Sequence, residues 1–163
     1  MIPDTDLQLA VVIKALQSTV ASALEETNPL AREQCQLAVA TLGFMRERLP
    51  RRRRMVRMEL RNSLALAEQL NARQTNQDLV ACITTADVAL ANAELDSTEL
   101  EAVTASLNVV IAAGVEASPN DREMALLVIS ATQKQAELAR AWFAPGGFEL
   151  DPTALRPLDE LLK

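Results

Sequence analysis

Residues 46–71 read RERLPRRRRMVRMELRNSLALAEQLN, and the apolar residues of the second half recur every three or four positions. The residues in this pattern are Val56, Leu60, Leu64, Ala67 and Leu70. Such spacing places their side chains on one face of an α-helix. The pattern therefore predicts a helix that begins at Pro50, ends near Asn71 and turns this face toward a core.

Strong helix formers dominate the rest of the chain as well. Of 163 residues, 27 are Ala and 25 are Leu, whereas aromatic residues make up 2%. Ala and Leu lead the helix-propensity scale, and the aromatic residues that favour strands are scarce. The composition predicts an all-α fold, in the form of a six-helix bundle with a short C-terminal helical segment.

Capping signals set the limits of the predicted helices. Asn28 precedes Pro29 in the order expected of an N-cap and a first helical residue. Thr98 and Glu101 have the spacing of a capping box, and Gly114 is a typical C-terminal glycine. The six predicted helices span about 4–26, 29–49, 50–71, 77–94, 98–114 and 118–143.

The length suits a single domain that covers residues 1–163. Residues 4–74 and 75–143 also align with each other at an offset of about 70 positions, with a C-terminal tail at 144–163. Two explanations remain open for this alignment. Either the chain contains two pseudo-repeated three-helix units, or helices rich in Ala and Leu resemble one another by composition.

Eight of the thirteen arginines lie between positions 46 and 61. This window carries +6 and the whole chain −6, so the remainder carries −12. A cationic cluster in an acidic protein is typical of a site that binds an anion or an acidic surface. The candidate binding residues are Arg46, Arg48, Arg51, Arg52, Arg53, Arg54 and Arg57.

Three interpretations of this cluster compete. It is a solvated run of charge, a docking patch for an acidic protein surface, or a site for a small anion. A second copy of the chain would offer an acidic group made of Glu94, Asp96, Glu99 and Glu101. Nucleic acid is not favoured because the protein is acidic overall and no aromatic residue stands between the arginines.

Substitution of Arg52 and Arg53 separates these interpretations. Cations at the start of a helix oppose its dipole, so a cluster held only for binding costs the free protein stability. Replacing both residues with Gln or Glu would then stabilise the fold by about 0.5–1 kcal/mol. A cluster that is paired within the chain would instead lose stability on the same substitution.

The absence of histidine and tyrosine excludes several chemistries. Ser-His-Asp and Cys-His catalytic sets, Glu-x-x-His di-iron sites and His-ligated haem all require histidine. Cys35 and Cys82 form no CxxC pair and are expected to be buried thiols. We therefore expect no enzymatic activity, no metal and no cofactor.

The N-terminal sequence lacks a signal-peptide pattern, and no purely apolar run reaches the length of a membrane span. The expectation is a cytoplasmic protein without a membrane partner. Trp142, Phe143 and Phe148 lie within seven residues and predict either a hydrophobic plug at one end of the bundle or a docking end for a partner.

Together these features favour a non-catalytic protein of interaction or assembly that forms a homo-oligomer or binds an acidic partner. The alternative is a binder of a small anionic or apolar ligand, at the arginine-rich corner or in a cleft between helices.

Overall fold

The computed structural model describes residues 4–147 and 149–163, which contain helices and turns and no β-strand. The predicted all-α class is confirmed. Helix α1 runs from Thr5–Ala15 through a π-helical turn at Leu16–Val20 to Ala21–Ala23. The others are α2 (Pro29–Arg48), α3 (Arg52–Arg73), α4 (Gln77–Ala91), α5 (Ser97–Glu116), α6 (Arg122–Phe143) and the short α7 (Leu158–Leu161). Short 3₁₀ turns occupy Leu49–Arg51, Ala144–Gly146 and Pro152–Ala154.

The start of α2 agrees with the prediction, whereas α3 and α6 begin later than predicted. Asn28 accepts a hydrogen bond from the Ala31 N–H at 3.1 Å, as expected of an N-cap. Helix α6 begins later than predicted because the Asp121 carboxylate caps it, accepting from the N–H groups of Glu123 and Met124. Pro50 lies in a 3₁₀ turn, and α3 begins two residues after it.

The helix ends differ more from the predictions. Helix α1 stops at Ala23, after a stretch where the Ser18 and Ser22 hydroxyls donate to carbonyls of the preceding turn, a contact that weakens helices. Helix α4 ends at Ala91. Helix α5 continues through Gly114 to Glu116, and Gly114 does not adopt the positive φ of a terminal glycine.

The chain divides into two compact units. Unit 1 comprises Met1–Arg51 with Pro145–Phe148, and unit 2 comprises Arg52–Ala144 with Glu149–Lys163. This boundary differs from the one between the predicted repeats, at 74 and 75. Two of the helix pairs that the predicted repeats align with each other have equal lengths: α2 and α5 have 20 residues each, and α3 and α6 have 22 each. The duplication and the single domain both stay predictions.

Helix α3 is the centre of unit 2. It packs against α4, α5 and α6, and all five apolar residues predicted to face the core are buried. Leu60 of α3 and Leu100 and Leu107 of α5 are the largest fully buried side chains among the described residues. The three- and four-residue spacing of the opening stretch therefore identified the core-facing side of α3 correctly.

A second, smaller cluster in unit 2 holds the C-terminal tail. Its buried members are Met55, Leu138 and Leu162. Trp142 packs against this cluster together with the tail residue Leu158, as expected if the tail folds back onto the helices. Phe143 does not join it and is 58% exposed. Phe148, the third aromatic residue of this group, lies outside the described residues.

Unit 1 is a helical hairpin of α1 and α2, which pack along one seam. The apolar side chains of this seam are half-buried; examples are Ile13 and Leu16 of α1 and Val39 and Leu42 of α2. Every buried hydrophobic residue of the described chain belongs to unit 2. Unit 1 therefore contains helices without a core of its own.

This contrast predicts different costs for the same substitution in the two units. Leu60→Ala removes a fully buried side chain and should lower the free energy of unfolding by about 2–5 kcal/mol. Leu37→Ala on α2, where Leu37 is 51% exposed, should change it by less than about 1 kcal/mol. Urea denaturation followed by circular dichroism measures both, and equal losses would contradict the assignment of the core to unit 2.

Candidate functional site

The arginine-rich segment is divided between the units. Arg46, Arg48 and Arg51 belong to unit 1, and the candidate arginines from Arg52 to Arg57 belong to unit 2. In unit 1, the Arg46 guanidinium binds the Asp6 carboxylate in a bidentate manner, at 2.6 and 2.9 Å. This hydrogen bonding lowers the pKa of Asp6 and raises the pKa of Arg46. Because Asp6 lies in the first turn of α1 and Arg46 in the last turn of α2, the pair joins the two helices of the hairpin.

Arg48 and Arg51 make contacts close to their own positions in the chain. Arg48 is only 6% exposed; it donates to the Glu47 carboxylate at 2.7 Å, and its guanidinium carbon lies 5.8 Å from the centre of the Phe44 ring. Arg51 donates to the Glu47 carbonyl at 3.0 Å. Arg48 is thus a buried arginine of the segment whose guanidinium lies over an aromatic ring.

In unit 2, Arg52 and Arg54 form ion pairs that link α3 to other elements. Arg52 donates to both carboxylate oxygens of Glu101 in α5, at 3.0 and 3.3 Å. Arg54 donates to Asp159 in α7 at 3.0 Å. All four side chains are about half exposed, so each pair contributes at most about 1 kcal/mol.

Arg53 and Arg57 interact with the C-terminal end of α4. Arg57 donates to the Leu90 carbonyl, and Arg53 donates to the carbonyls of Ala93 and Leu95 just beyond the helix. The last carbonyls of a helix lack intrahelical partners and carry the negative end of its dipole, so cations stabilise them. The conflict expected at the start of α3 is therefore offset by favourable contacts at the end of α4.

Burial lowers the pKa of Arg57, with smaller contributions from its neighbours Arg61 and Arg53. Desolvation of this kind is the expected cost of placing a guanidinium against backbone carbonyls. The side chain is half-buried and remains a cation at neutral pH.

The predicted acidic docking group also makes contacts inside unit 2. Asp96 and Glu99 form a capping box for α5: each carboxylate accepts from the other residue's N–H, at 2.9 and 2.8 Å. The predicted box of Thr98 and Glu101 is wrong because α5 begins earlier, which places Glu101 in the second turn, opposite Arg52. The Glu94 N–H donates to the Asn92 side chain.

Each of the seven predicted binding arginines thus has a described contact within its own unit. Arg52 pairs with one residue of the acidic group that was predicted as its intermolecular partner. The Arg52–Glu101 pair therefore forms inside the chain, while Asp96 and Glu99 cap α5. Whether any of these residues also binds an anion or another protein stays a prediction.

Two features of unit 2 were not identified from the sequence. Arg73 at the end of α3 pairs with Asp121 and Glu123 at the start of α6, and this pairing raises its pKa. Glu59 is half-buried on α3, and burial, with a smaller effect of Glu101, raises its pKa. The sequence places Glu59 next to Leu60 but does not show how deeply its carboxyl lies.

The described residues offer no metal centre. Between residues 4 and 163, Phe148 excepted, no group of three or more His, Cys, Asp or Glu side chains is placed to hold a metal ion. Cys35 and Cys82 are half-buried rather than fully buried as predicted. Helix α5 has the length and apolar composition of a membrane span, which for a single helix is weak evidence, and its Leu100, Leu107 and Ile111 are buried.

Comparison with known proteins does not identify a relative. No protein-family model, no curated protein and no solved structure matches the chain. The function must therefore be argued from the residues themselves.

The contacts of Arg52 and Arg53 predict the result of the double substitution proposed from the sequence. Changing both to Gln removes the Glu101 pair and the bonds to the Ala93 and Leu95 carbonyls, so the protein should lose about 1 kcal/mol of stability. The matched control, Arg61→Gln with Arg122→Gln, removes the same charge from two exposed positions and should stay within about 0.5 kcal/mol. A gain in stability for the Arg52 and Arg53 variant would show that these contacts do not stabilise unit 2.

The raised pKa of Glu59 predicts a pH-dependent effect. The pKa of this carboxyl is higher in the folded protein than its ordinary 4.5, because the ionised form is less favourable in the half-buried position. As the pH rises and the carboxyl ionises, the free energy of unfolding therefore falls. Glu59→Gln should therefore stabilise the protein by up to about 1 kcal/mol at pH 7 and have little effect at pH 3. Melting curves at both pH values test this, with the exposed Glu68→Gln on the same helix as control; an equal effect at both pH values would argue against a buried Glu59 carboxyl.

Proposed function

We propose that the chain is a non-catalytic cytoplasmic assembly protein that forms a homo-oligomer through the hairpin of unit 1. The observation that carries this proposal is the absence of any buried apolar residue among the described residues of unit 1, combined with large apolar side chains exposed on both of its helices. The exposed set is Leu7, Val11, Val12, Val20, Leu30, Leu37, Met45 and Leu49.

The exposure of these side chains is substantial. On α1, Leu7 and Val11 are 58% and 59% exposed, and they lie one helical turn apart. On α2, Leu30 and Leu37 are 65% and 51% exposed, and they lie two turns apart. Single exposed apolar residues are ordinary, but a group of them on adjacent helices marks an interaction surface.

A second hairpin of the same kind would bury the apolar side chains that are exposed on unit 1. Two helices bury only the seam between them, whereas four helices enclose a core. Pairing two copies of α1 and α2 gives this number without any other protein. Small closed oligomers of this kind are the commonest assemblies of soluble proteins.

The distribution of charge favours another copy over a charged partner. From Gln34 to Met45, α2 has no charged residue, and from Leu7 to Leu24 the only charged residue is Lys14. A symmetric interface brings each surface against its own equivalent, so a charged surface would repel itself. An almost uncharged band avoids this repulsion and offers little to a strongly acidic partner.

The arginine-rich segment gives less support to the alternative of an anion or acidic partner. Its guanidinium groups already bind carboxylates and carbonyls of the chain, so an external partner would have to compete with them. Assembly through the hairpin requires no such competition.

Substitution in the middle of the hairpin tests the proposal. Val11→Glu with Leu37→Glu places one charge at an exposed apolar position of each helix, and it should reduce the oligomer to a monomer in sedimentation velocity. Thr27→Glu with Arg32→Gln lowers the net charge by the same amount at exposed positions of unit 1 that lie outside the two uncharged stretches, and it should leave the oligomer largely intact.

Two results would contradict assembly through unit 1. One is a wild-type protein that remains monomeric at high micromolar concentration. The other is an oligomer that persists unchanged in the Val11 and Leu37 variant, which would place the interface elsewhere.

A further inference from the structure

A cavity of about 230 Å³ opens between the ends of four helices of unit 2. Its wall is formed by Leu70 of α3, Leu79 of α4, Val110 and Ile111 of α5, and Met124 of α6. Leu70, Leu79, Ile111 and Met124 are all at least nine-tenths buried, so the inner wall belongs to the main core of the unit. The inner wall of the cavity is thus part of the core, and its outer side, lined by the exposed Val109 and Ala113, is open to solvent.

Polar groups stand at one side of this cavity. Gln74, Asn76 and Asp78 line it where α3 passes into α4. The Asn76 side-chain oxygen caps α4 by accepting from the N–H groups of Asp78 and Leu79. The same side chain also carries an amide nitrogen, which is a hydrogen-bond donor.

Gly114 lines the same cavity and is not explained by the packing of the helix. Glycine inside a helix is less favourable than alanine, and it is usually retained for a close contact or a positive φ. Gly114 lies within α5, it does not have a positive φ, and an ideal Cβ atom added to it would meet nothing within 4 Å. The space beside Gly114 is open, as it is beside Gly43 and Gly147, and at Gly114 this open space adjoins the cavity.

We propose that this cavity is a binding site for a small uncharged ring compound that carries one hydroxyl or N–H group. The size sets the class, since a closed apolar cavity of about 150 Å³ holds benzene and drug-sized ligands occupy about 300–1,000 Å³. The apolar wall would cover the ring, and the amides of Gln74 and Asn76 would bind the polar group. The carboxylate of Asp78 at the rim would repel an anion.

Phenol and indole are suitable probes, with benzoate as the anionic comparison. Titration of the ¹⁵N-labelled protein should give saturable shifts of the amide signals of Leu79, Ile111 and Met124. Phenol and indole should bind more tightly than benzoate by about tenfold or more. Equal affinity for benzoate, or no saturable binding of phenol and indole, would overturn the proposal.

Variants that fill the cavity provide the specific control. Gly114→Leu and Ala117→Leu add side chains at two positions of its wall and should each weaken phenol binding by about tenfold. Gly43→Leu is the matched control, because Gly43 is also a helical glycine with nothing within 4 Å of an added Cβ, and it lies in α2 of unit 1.

The Gly43 variant should bind phenol like the wild type. Circular dichroism melting curves establish whether all three variants fold, and the two glycine replacements should raise the melting temperature rather than lower it. Unchanged affinity in both cavity variants would show that the molecule binds elsewhere, and equal loss in the Gly43 variant would show that the effect is not local. Either result overturns the assignment of the site.

Discussion

Burial of one face of α3 is the interaction on which unit 2 depends. Val56, Leu60, Leu64, Ala67 and Leu70 place this face against α4, α5 and α6 at once. The position of α3 then determines where its arginines lie. Arg57 donates to a carbonyl in the last turn of α4, Arg53 donates to two carbonyls just beyond that helix, and Arg52 pairs with Glu101 of α5. The basic segment is thus organised by the core beneath it, and its charges serve first to join helices of the same unit.

The hairpin of unit 1 has the opposite character. Arg46 and Asp6 join its two helices, but α1 is interrupted by a π-helical turn and the side chains between the helices are only half-buried. Most of the stability of protein helices comes from packing of an apolar face, since isolated helices are marginal in water. A chain with so few aromatic residues buries little area per residue, which makes an additional covering surface more valuable. This constraint links the composition of the chain to the assembly proposed for it.

The sequence predicted the all-α class and the core face of α3 because both depend on local periodicity. It did not predict that no apolar residue is buried among the described residues of unit 1, since α1 and α2 show the same periodicity as the buried helices. It singled out Arg52 and Glu101 as candidate binding groups, but their pairing joins residues 49 positions apart and is visible only in the fold. For the same reason the half-buried carboxyl of Glu59 and the cavity beside Gly114 could not be found from spacing. The N-cap of α2 was predicted correctly because Asn28 is followed directly by Pro29. The capping box of α5 was assigned to the wrong pair because several acidic and hydroxyl residues near Asp96 have suitable spacing.

The central claim is that the hairpin of unit 1 completes its packing by association, whereas unit 2 already has a buried core. Hydrogen–deuterium exchange of the full chain at low and high protein concentration tests it most directly, because exchange reports the stability of each helix separately. The amides of α1 and α2 should exchange more slowly as the concentration rises, and those of the central part of α3 should be slow and independent of concentration. Amides of α1 and α2 that are protected as strongly as those of α3 at every concentration would contradict the claim.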